Sequence, residues 1–288
     1  MRYGVVFPQT EIGTDPAAIR DYAQAAEGLG YSQILTYEHV LGASAERYPN
    51  LSGPYRERHQ FHEPFVLFGY MAAFTQRIEL VMGVLVLPMR QTVLVAKQSA
   101  ALDVLCRGRL RLGVGVGWNP VEAEAMGTDF HTRGKRIEEQ IDLLRKLWTE
   151  PLVDFEGQWH RVSGAGINPL PIQRPIPIWA GATADAGLQR AARLADGWFP
   201  LIPPDQRALD QVARMRGYLQ AAGRDPSSFG IEARAYLKEW NPDRLHQQVQ
   251  FWRDLGATHL DMSTMGMGLA SPQEHIKMIE RLKQELGD

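Results

Sequence analysis

Two polar residues, Glu38 and His39, stand side by side directly after an apolar run with the character of a strand. Strand alternation sends neighbouring side chains to opposite sides, so one of the pair can face a cavity while the other anchors the loop. Histidine titrates near neutral pH and is well suited to donate or accept a proton. The pair therefore predicts acid–base chemistry or a structural anchor, and the residue types alone leave both open.

Alternate glycines end a second apolar run: Gly113, Gly115 and Gly117 occupy every other position. A strand face without side chains lets a flat ligand or a phosphate approach the backbone, although tight barrel packing needs the same glycines. The spacing is not that of a dinucleotide-binding fingerprint. Both ligand binding and packing stay open for this segment.

A third run leads through Gly181-Ala182-Thr183 into a helix. Free N–H groups and the positive end of the helix dipole suit a phosphate at such a point. Ordinary capping of the helix by Thr183 or Asp185 is the alternative. Two backbone-rich sites at neighbouring strand ends favour a planar, phosphorylated cofactor.

Other catalytic chemistries find little support in the sequence. The pair His59 and His62 has no ligand-helix spacing and no assignable third ligand, so we expect no metal site. Nucleophile elbows, Walker loops and zincin motifs are absent from the sequence. The single cysteine, Cys106, ends an apolar helical pattern and is expected to be a core residue.

Composition and charge narrow the classes of partner. The chain has 288 residues, of which 44% are hydrophobic and 22% charged, enough for a large core. Its 31 basic and 33 acidic residues give a formal charge of -2, so there is no whole-chain electrostatic case for nucleic acid or an anionic membrane. The longest uncharged apolar run, Leu80 to Met89, falls short of the ~20 residues that cross a bilayer. Since the N-terminus also lacks a signal-peptide pattern, we expect a cytoplasmic protein.

Strand-like and helical patterns alternate along the whole chain. The eight strand candidates are Tyr3–Phe7, Gln33–Tyr37, Ile78–Leu85, Leu110–Val116, Ile176–Ala180, Gly197–Leu201, Ile231–Tyr236 and Thr258–Met262. Continuously apolar strands separated by helices are typical of a parallel sheet covered on both faces. We therefore predict an α/β fold, a (β/α)8 TIM-like barrel forming one domain over residues 1–288. A doubly wound open sheet is the structural alternative.

The chain is longer than eight minimal strand–helix units require, and the extra residues form two insertions. Residues 40–62 follow the second strand and are predicted to form a lid or substrate wall, because loops after strands line the catalytic face of a barrel. Residues 150–175 precede the fifth strand and are predicted to form a short hairpin followed by an extended, proline-rich run.

Six segments agree in order and spacing with one known family. They are Glu38-His39; Gly83 to Arg90 with Ala96-Lys97; Gly108 to Asn119 with Glu122 or Glu124 and Gly127; Arg133 to Arg136 with Glu138 and Leu147-Trp148; Pro175 to Gly181; and Arg190 to Trp198. Together they resemble the luciferase-like monooxygenase superfamily, and within it the coenzyme F420-dependent oxidoreductases. The resemblance covers roughly residues 1–200.

This resemblance implies a barrel whose mouth holds a reduced flavin or 5-deazaflavin, with His39 as the active-site histidine and Glu38 beside it. It also implies a non-prolyl cis peptide in a bulge after the third strand, which we place at Val84-Leu85 by the spacing from Pro88. The cofactor-binding residues that it implies are Phe7, His39, Val84, Leu85, Val86, Gly115, Val116, Gly117, Trp118, Gly181, Ala182 and Thr183.

The implied activity is hydride transfer between F420 and a small organic substrate. An FMN-dependent monooxygenase using O2 and a separate reductase is the first alternative, and a catalytically silent cofactor-binding protein is the second. Sugar-phosphate dehydrogenases of the F420 group carry a carboxylate at the position of Trp118. They also carry a tryptophan shortly after the histidine, where this chain has Leu41-Gly42-Ala43. Their activity is therefore not carried over.

The resemblance also favours a homodimer formed through helices near the second and third strands. It places basic residues beside the anionic cofactor tail without identifying them. Substrate recognition is expected from the loop at residues 40–62 and from four candidates near the last strands: Glu232, Arg234, Ser263 and Met265.

Overall fold

Eight parallel strands close into a barrel, which confirms the predicted fold class. A computed structural model describes residues 1–287. Its strands are β1 (Arg2–Val6), β2 (Gln33–Thr36), β3 (Glu79–Val86), β4 (Leu110–Gly115), β5 (Val153–Glu156), β6 (Arg161–Ala165), β7 (Ile178–Gly181), β8 (Gly197–Phe199), β9 (Gly230–Ala235) and β10 (His259–Ser263). The barrel runs in the order β1-β10-β9-β8-β7-β4-β3-β2, and β5 pairs with β6 as a separate antiparallel hairpin.

Helices surround the barrel and pack their apolar faces against it. They are α1 (Pro16–Gly28), α2 (Pro64–Ala72), α3 (Thr92–Leu105), α4 (Pro120–Ala125), α5 (Arg133–Thr149), α6 (Asp185–Leu194), α7 (Gln206–Ala221), α8 (Pro242–Asp254) and α9 (Pro272–Leu286). The predicted start of α9 is confirmed, since the Ser271 side chain accepts from the Glu274 N–H and Pro272 is the first helical residue. Within residues 1–287 no helix combines the length and the apolar character that a membrane span requires.

Each strand candidate coincides with a barrel strand, and the two largest boundary differences have a common cause. The strand predicted over Gly197–Leu201 ends at Phe199, and the one predicted from Ile176 begins at Ile178. Pro200 and Pro177 stand at these two ends. Because proline has no N–H to donate to the ladder, the strands stop at the prolines.

The two insertions differ in structure. Residues 40–62 contain neither helix nor strand, whereas the second insertion contains the hairpin β5–β6, as predicted. An extended run then returns the chain to the barrel, with cis peptides at Asn168-Pro169 and Arg174-Pro175.

A bulge interrupts β3 where it meets β4. The pairing register shifts between Met82 and Leu85, and the Gly83-Val84 peptide is cis. The prediction of a non-prolyl cis bond in this segment is therefore correct in kind and one residue too late, since we placed it at Val84-Leu85. Glycine suits the earlier position, because a Cβ on Gly83 would lie 2.5 Å from Cδ1 of Leu35.

Candidate active site

A cavity of about 770 Å³ opens at the carboxyl ends of the barrel strands. This size is within the usual range for pockets that bind cofactors. Most of the residues predicted to bind cofactor line it: His39, Val84, Val86, Gly115, Val116, Gly117, Trp118, Gly181, Ala182 and Thr183. Glu38, predicted beside His39 as a catalytic residue, lines it as well. Pro54 and Tyr55 from the first insertion also line it, so this loop forms part of the cavity wall, as predicted.

Phe7 and Leu85 do not line this cavity, and their prediction as cofactor-binding residues is corrected here. Phe7 is fully buried and packs edge-on against Tyr22, with ring centroids 5.7 Å apart. Leu85 is fully buried in the hydrophobic core. Strand alternation beyond the bulge explains the second case, since Val84 and Val86 face the cavity and the residue between them points away.

His39 is held at the cavity wall by a buried glutamate on α4. Its Nδ1 lies 2.9 Å from Oε2 of Glu122, and Oε1 of Glu122 accepts the Val40 N–H at 2.6 Å. The carboxylate therefore acts as an acceptor and favours the proton on Nδ1. Within residues 1–287, Nε2 of His39 makes no hydrogen bond, which leaves it available to a bound molecule.

Glu122 has a role that the sequence reasoning did not assign. Asn119 caps α4, its side-chain oxygen accepting the N–H groups of Val121 and Glu122, and this places Glu122 in the first turn. The glutamate side chain is 1% exposed. An N-cap asparagine followed three residues later by glutamate is a helix-start signal, but only the folded barrel shows that the carboxylate meets His39.

Aromatic rings surround the imidazole of His39. Tyr55 and Phe61 from the first insertion and Trp118 after β4 have ring centroids 5.3, 5.0 and 5.4 Å from it. Gly53 closes the loop over Trp118, since a Cβ there would lie 2.2 Å from Cζ3 of the indole. The loop and the aromatic cluster therefore limit the access of water to His39.

Glu38 faces away from His39 into an ion pair. Its carboxylate pairs with Arg90 and accepts the Val86 N–H of the bulged strand. Burial raises the pKa of Glu38, and the Arg90 charge opposes that rise. The structure thus places Glu38 where it holds the end of β3, although the residue also contributes to the cavity wall.

The alternate glycines make room for the bulge. A Cβ on Gly115 would lie 2.6 Å from a methyl group of Val84, and a Cβ on Gly117 would lie 2.6 Å from one of Val86. Gly181 approaches Val84 from the other side, with a Cβ position 2.9 Å from its Cγ1. The packing interpretation is therefore confirmed for Gly115 and Gly117. Both also line the cavity, and ligand binding by this segment stays a prediction.

The N-terminus of α6 opens onto the same cavity without a side-chain cap. Ala184 is the N-cap residue, and neither Thr183 nor Asp185 caps the helix with its side chain. Thr183, Ala184 and Ala186 line the cavity, so the first-turn N–H groups are available to an anion. This favours the phosphate interpretation over capping.

Three basic residues also line the cavity: His131, Arg133 and Arg190. Arg133 lies 3.7 Å over the Phe130 ring, and Arg190 pairs with Glu138 at 3.1 Å. Sequence reasoning expected basic residues near an anionic cofactor tail without identifying them. Packing of α5 against α6 brings Arg190 next to the start of α5, since a Cβ on Gly134 would lie 3.1 Å from its guanidinium.

No cluster of three or more potential metal ligands is found in residues 1–287. Cys106 is fully buried, as expected for a core residue. Burial raises the pKa of its thiol.

Comparison with known sequences identifies relatives of the whole chain. The family model described as luciferase-like monooxygenase matches residues 1–283. An uncharacterised protein of Mycobacterium tuberculosis is 38% identical over 224 residues, 76% of this chain and 77% of the relative. An F420-dependent glucose-6-phosphate dehydrogenase of Intrasporangium calvum is 28% identical over 293 residues, 95% of this chain and 78% of the relative.

A similar fold occurs in the crystal structure of the monooxygenase RslO1 from Streptomyces bottropensis. The TM-score is 0.80 at 20% identity, and the match covers 98% of both chains.

Proposed function

The chain belongs to the luciferase-like monooxygenase family, and we propose that it is a coenzyme F420-dependent oxidoreductase acting on a small organic substrate. One observation carries this proposal: a single cavity has His39 in its wall and an uncapped helix N-terminus lined by basic residues at its other end. The F420-dependent relative supports the choice of cofactor.

The residues present fit a planar, phosphorylated cofactor. The glycine wall at Gly115 and Gly117 removes side chains that would fill the cavity, and Val84 projects from the bulge to support a flat ring. The first turn of α6, with Arg133 and Arg190, would hold the phosphate and the start of an anionic tail. Both F420 and FMN have a planar ring and a phosphate, but only F420 has a long anionic tail that could pair with Arg133 and Arg190.

F420 bound there supplies a carbon centre that gives or takes a hydride. The chain's own part is to orient the substrate, exclude water and handle the proton. Nε2 of His39 would deliver or accept that proton at the cavity wall, while Glu122 keeps the ring oriented through Nδ1. Tyr55 and Trp118 shield the site from bulk water.

An FMN-dependent monooxygenase is the second candidate, favoured by the fold shared with RslO1. That reaction needs O2 and a separate reductase. Glucose 6-phosphate is not the expected substrate, because Trp118 and Leu41 depart from the sugar-phosphate pattern.

Titration of the purified protein with F420 and FMN tests the proposal. We expect F420 to bind at least about tenfold more tightly than FMN, and more tightly than the deazaflavin lacking phosphate and tail, because charge-assisted hydrogen bonds contribute about 1.5–3 kcal/mol each. Equilibrium fluorescence titration measures all three affinities. Tight FMN binding without F420 binding would replace the proposal with the monooxygenase.

A homodimer remains a proposal, and the surface of α2 and α3 supports it. Val66, Leu94 and Leu105 are 73%, 50% and 65% exposed on these helices, and exposed apolar patches mark interaction sites. We expect Leu105→Glu to convert a dimer into a monomer in sedimentation velocity, while Leu209→Glu on α7 leaves the dimer intact. A wild-type monomer at micromolar concentration would refute this.

A further inference from the structure

We propose that Arg234 binds a carboxylate group of the substrate, so that the substrates of this protein are small organic acids. The inference rests on the proposed function, because it assigns the substrate class of the same cavity. Among residues 1–287, Arg234 has the one guanidinium that lines the cavity and has no polar partner from the chain.

Arg234 lies near the end of β9 and lines the cavity wall. Its guanidinium stacks over the Tyr37 ring, 4.5 Å from the centroid. Its Nε is buried without a hydrogen-bond partner, and no ion pair of Arg234 occurs among the described residues. Tyr37 stands two residues before His39, so the stacked guanidinium belongs to the same part of the cavity as the imidazole.

Two other largely enclosed arginines are paired, unlike the half-buried Arg234. Arg111 pairs with Glu232 and lies 3.1 Å from Glu79, and Arg90 pairs with Glu38. A guanidinium whose Nε is buried without a partner carries a desolvation cost that an anionic ligand offsets. The unpaired donors of Arg234 therefore fit a site that is completed by a ligand.

A neighbouring carboxyl group does not take the role of that partner. Asp261 is the register neighbour of Arg234 on β10. Burial, and next the adjacent Glu232 carboxyl, raise the pKa of Asp261 well above its ordinary value. The Asp261 carboxyl accepts a hydrogen bond from Gln33 at 3.1 Å, and no ion pair or hydrogen bond between Asp261 and Arg234 occurs among residues 1–287.

Tyrosines beside Arg234 supply further donors. Burial raises the pKa of the Tyr37 and Tyr55 hydroxyls, so both keep their protons at neutral pH. Neither hydroxyl makes a hydrogen bond inside the described part of the chain. A planar carboxylate matches the fork of a guanidinium and can accept from such hydroxyls as well.

The phosphate site proposed for the cofactor is a different part of the cavity. The uncapped turn of α6, with Arg133 and Arg190, is the phosphate end. Arg234 belongs to a different wall, formed with Tyr37 and Tyr55. The cavity thus has two cationic regions, and the second is left for the substrate.

The test uses benzoate and benzamide, a matched anionic and neutral pair with an aromatic body suited to the tyrosine-lined wall. Isothermal titration calorimetry of the full chain, with and without F420, measures their affinities. We expect benzoate to bind at least tenfold more tightly than benzamide. Arg234→Met should remove that preference without changing benzamide affinity. Arg161→Met, which removes an exposed arginine on β6, is the control for loss of charge and should leave both affinities unchanged.

Equal affinities of the wild type for benzoate and benzamide would overturn the inference, and so would unchanged benzoate binding by Arg234→Met. Tighter Arg234-dependent binding of inorganic phosphate than of benzoate would also overturn it. A loss of F420 affinity in Arg234→Met as large as the loss of benzoate affinity would assign Arg234 to the cofactor instead. Should Arg234→Met not fold, Arg234→Gln gives the same readout with a smaller side chain. A protein that binds benzoate through Arg234 but does not bind F420 would retain this inference and lose the proposed cofactor.

Discussion

Replacing His39 by alanine is expected to lower turnover by about 10²-fold or more, the usual contribution of a positioned acid–base group. The affinity for the cofactor should stay within a few-fold of wild type. The imidazole is 10% exposed, and only its Nε2 is free of contacts with polar atoms in the described chain. Its loss therefore removes a proton carrier without altering the phosphate end of the cavity.

His39→Asn separates proton transfer from packing. The asparagine amide can still donate to Glu122 from a position near that of Nδ1, but it cannot titrate. We expect this variant to lose as much turnover as His39→Ala. Steady-state rates followed through the cofactor absorbance, together with cofactor titrations, provide both readouts.

The control for these variants is His246→Ala, which removes a surface histidine of α8 that pairs with Glu285 at 2.7 Å. Its rate should equal that of wild type. If His39→Ala turns over at the wild-type rate, His39 has only a structural role.

Arg90→Met is expected to lower the free energy of unfolding by about 3–5 kcal/mol, the usual cost of leaving one partner of a buried ion pair alone. Glu38 and Arg90 side chains are 2% and 12% exposed. Without the guanidinium, the Glu38 carboxylate stays buried with the Val86 N–H as its remaining partner at this site. Chemical denaturation followed by circular dichroism measures the change.

The pH dependence of this loss follows from Glu38. Burial already raises the pKa of Glu38 in the folded protein, and the charge of Arg90 is the largest effect that opposes this rise. In Arg90→Met the folded state therefore binds a proton more tightly than the unfolded state, whose carboxyl titrates near its ordinary value. The deficit in stability should be larger at pH 7 than at pH 5.

Two further variants test the cause of the Arg90 effect. The double variant Glu38→Gln with Arg90→Met should recover more than half of the lost stability, because no charge is then left buried. Arg193→Met removes an exposed partner of Glu138 and should cost less than about 1 kcal/mol. Equal losses for Arg90→Met and Arg193→Met would show that burial of the pair is unimportant.

The positions of the barrel strands could be predicted from sequence because local signals carry them. Apolar runs such as Leu110–Val116 alternate with helical patterns, and each run became a strand within a few residues. The helix starts at Asn119 and Ser271 are equally local. His39 could be singled out because its place directly after a strand puts it at the catalytic face of any such barrel.

The roles of partners across the barrel could not be predicted in the same way. Glu122 is 83 residues from His39, and the sequence contains no signal that joins them. Phe7 and Leu85 were assigned to the cofactor site by the family resemblance, yet both side chains are fully buried in the core. The cis peptide lies one residue earlier than predicted, at Gly83-Val84.

The sequence by itself determined the positions of the barrel strands, the barrel, and the neighbourhood of His39 and the glycine segments, because periodicity, capping and strand ends depend on nearby residues. Only the tertiary structure decided which carboxylate holds His39, that Glu38 is an ion-pair partner of Arg90, and that Arg234 has no such partner among residues 1–287. The physical reason is that hydrogen bonds, ion pairs and desolvation depend on distances of a few ångströms between residues far apart in the chain. Those distances exist only once the barrel has closed.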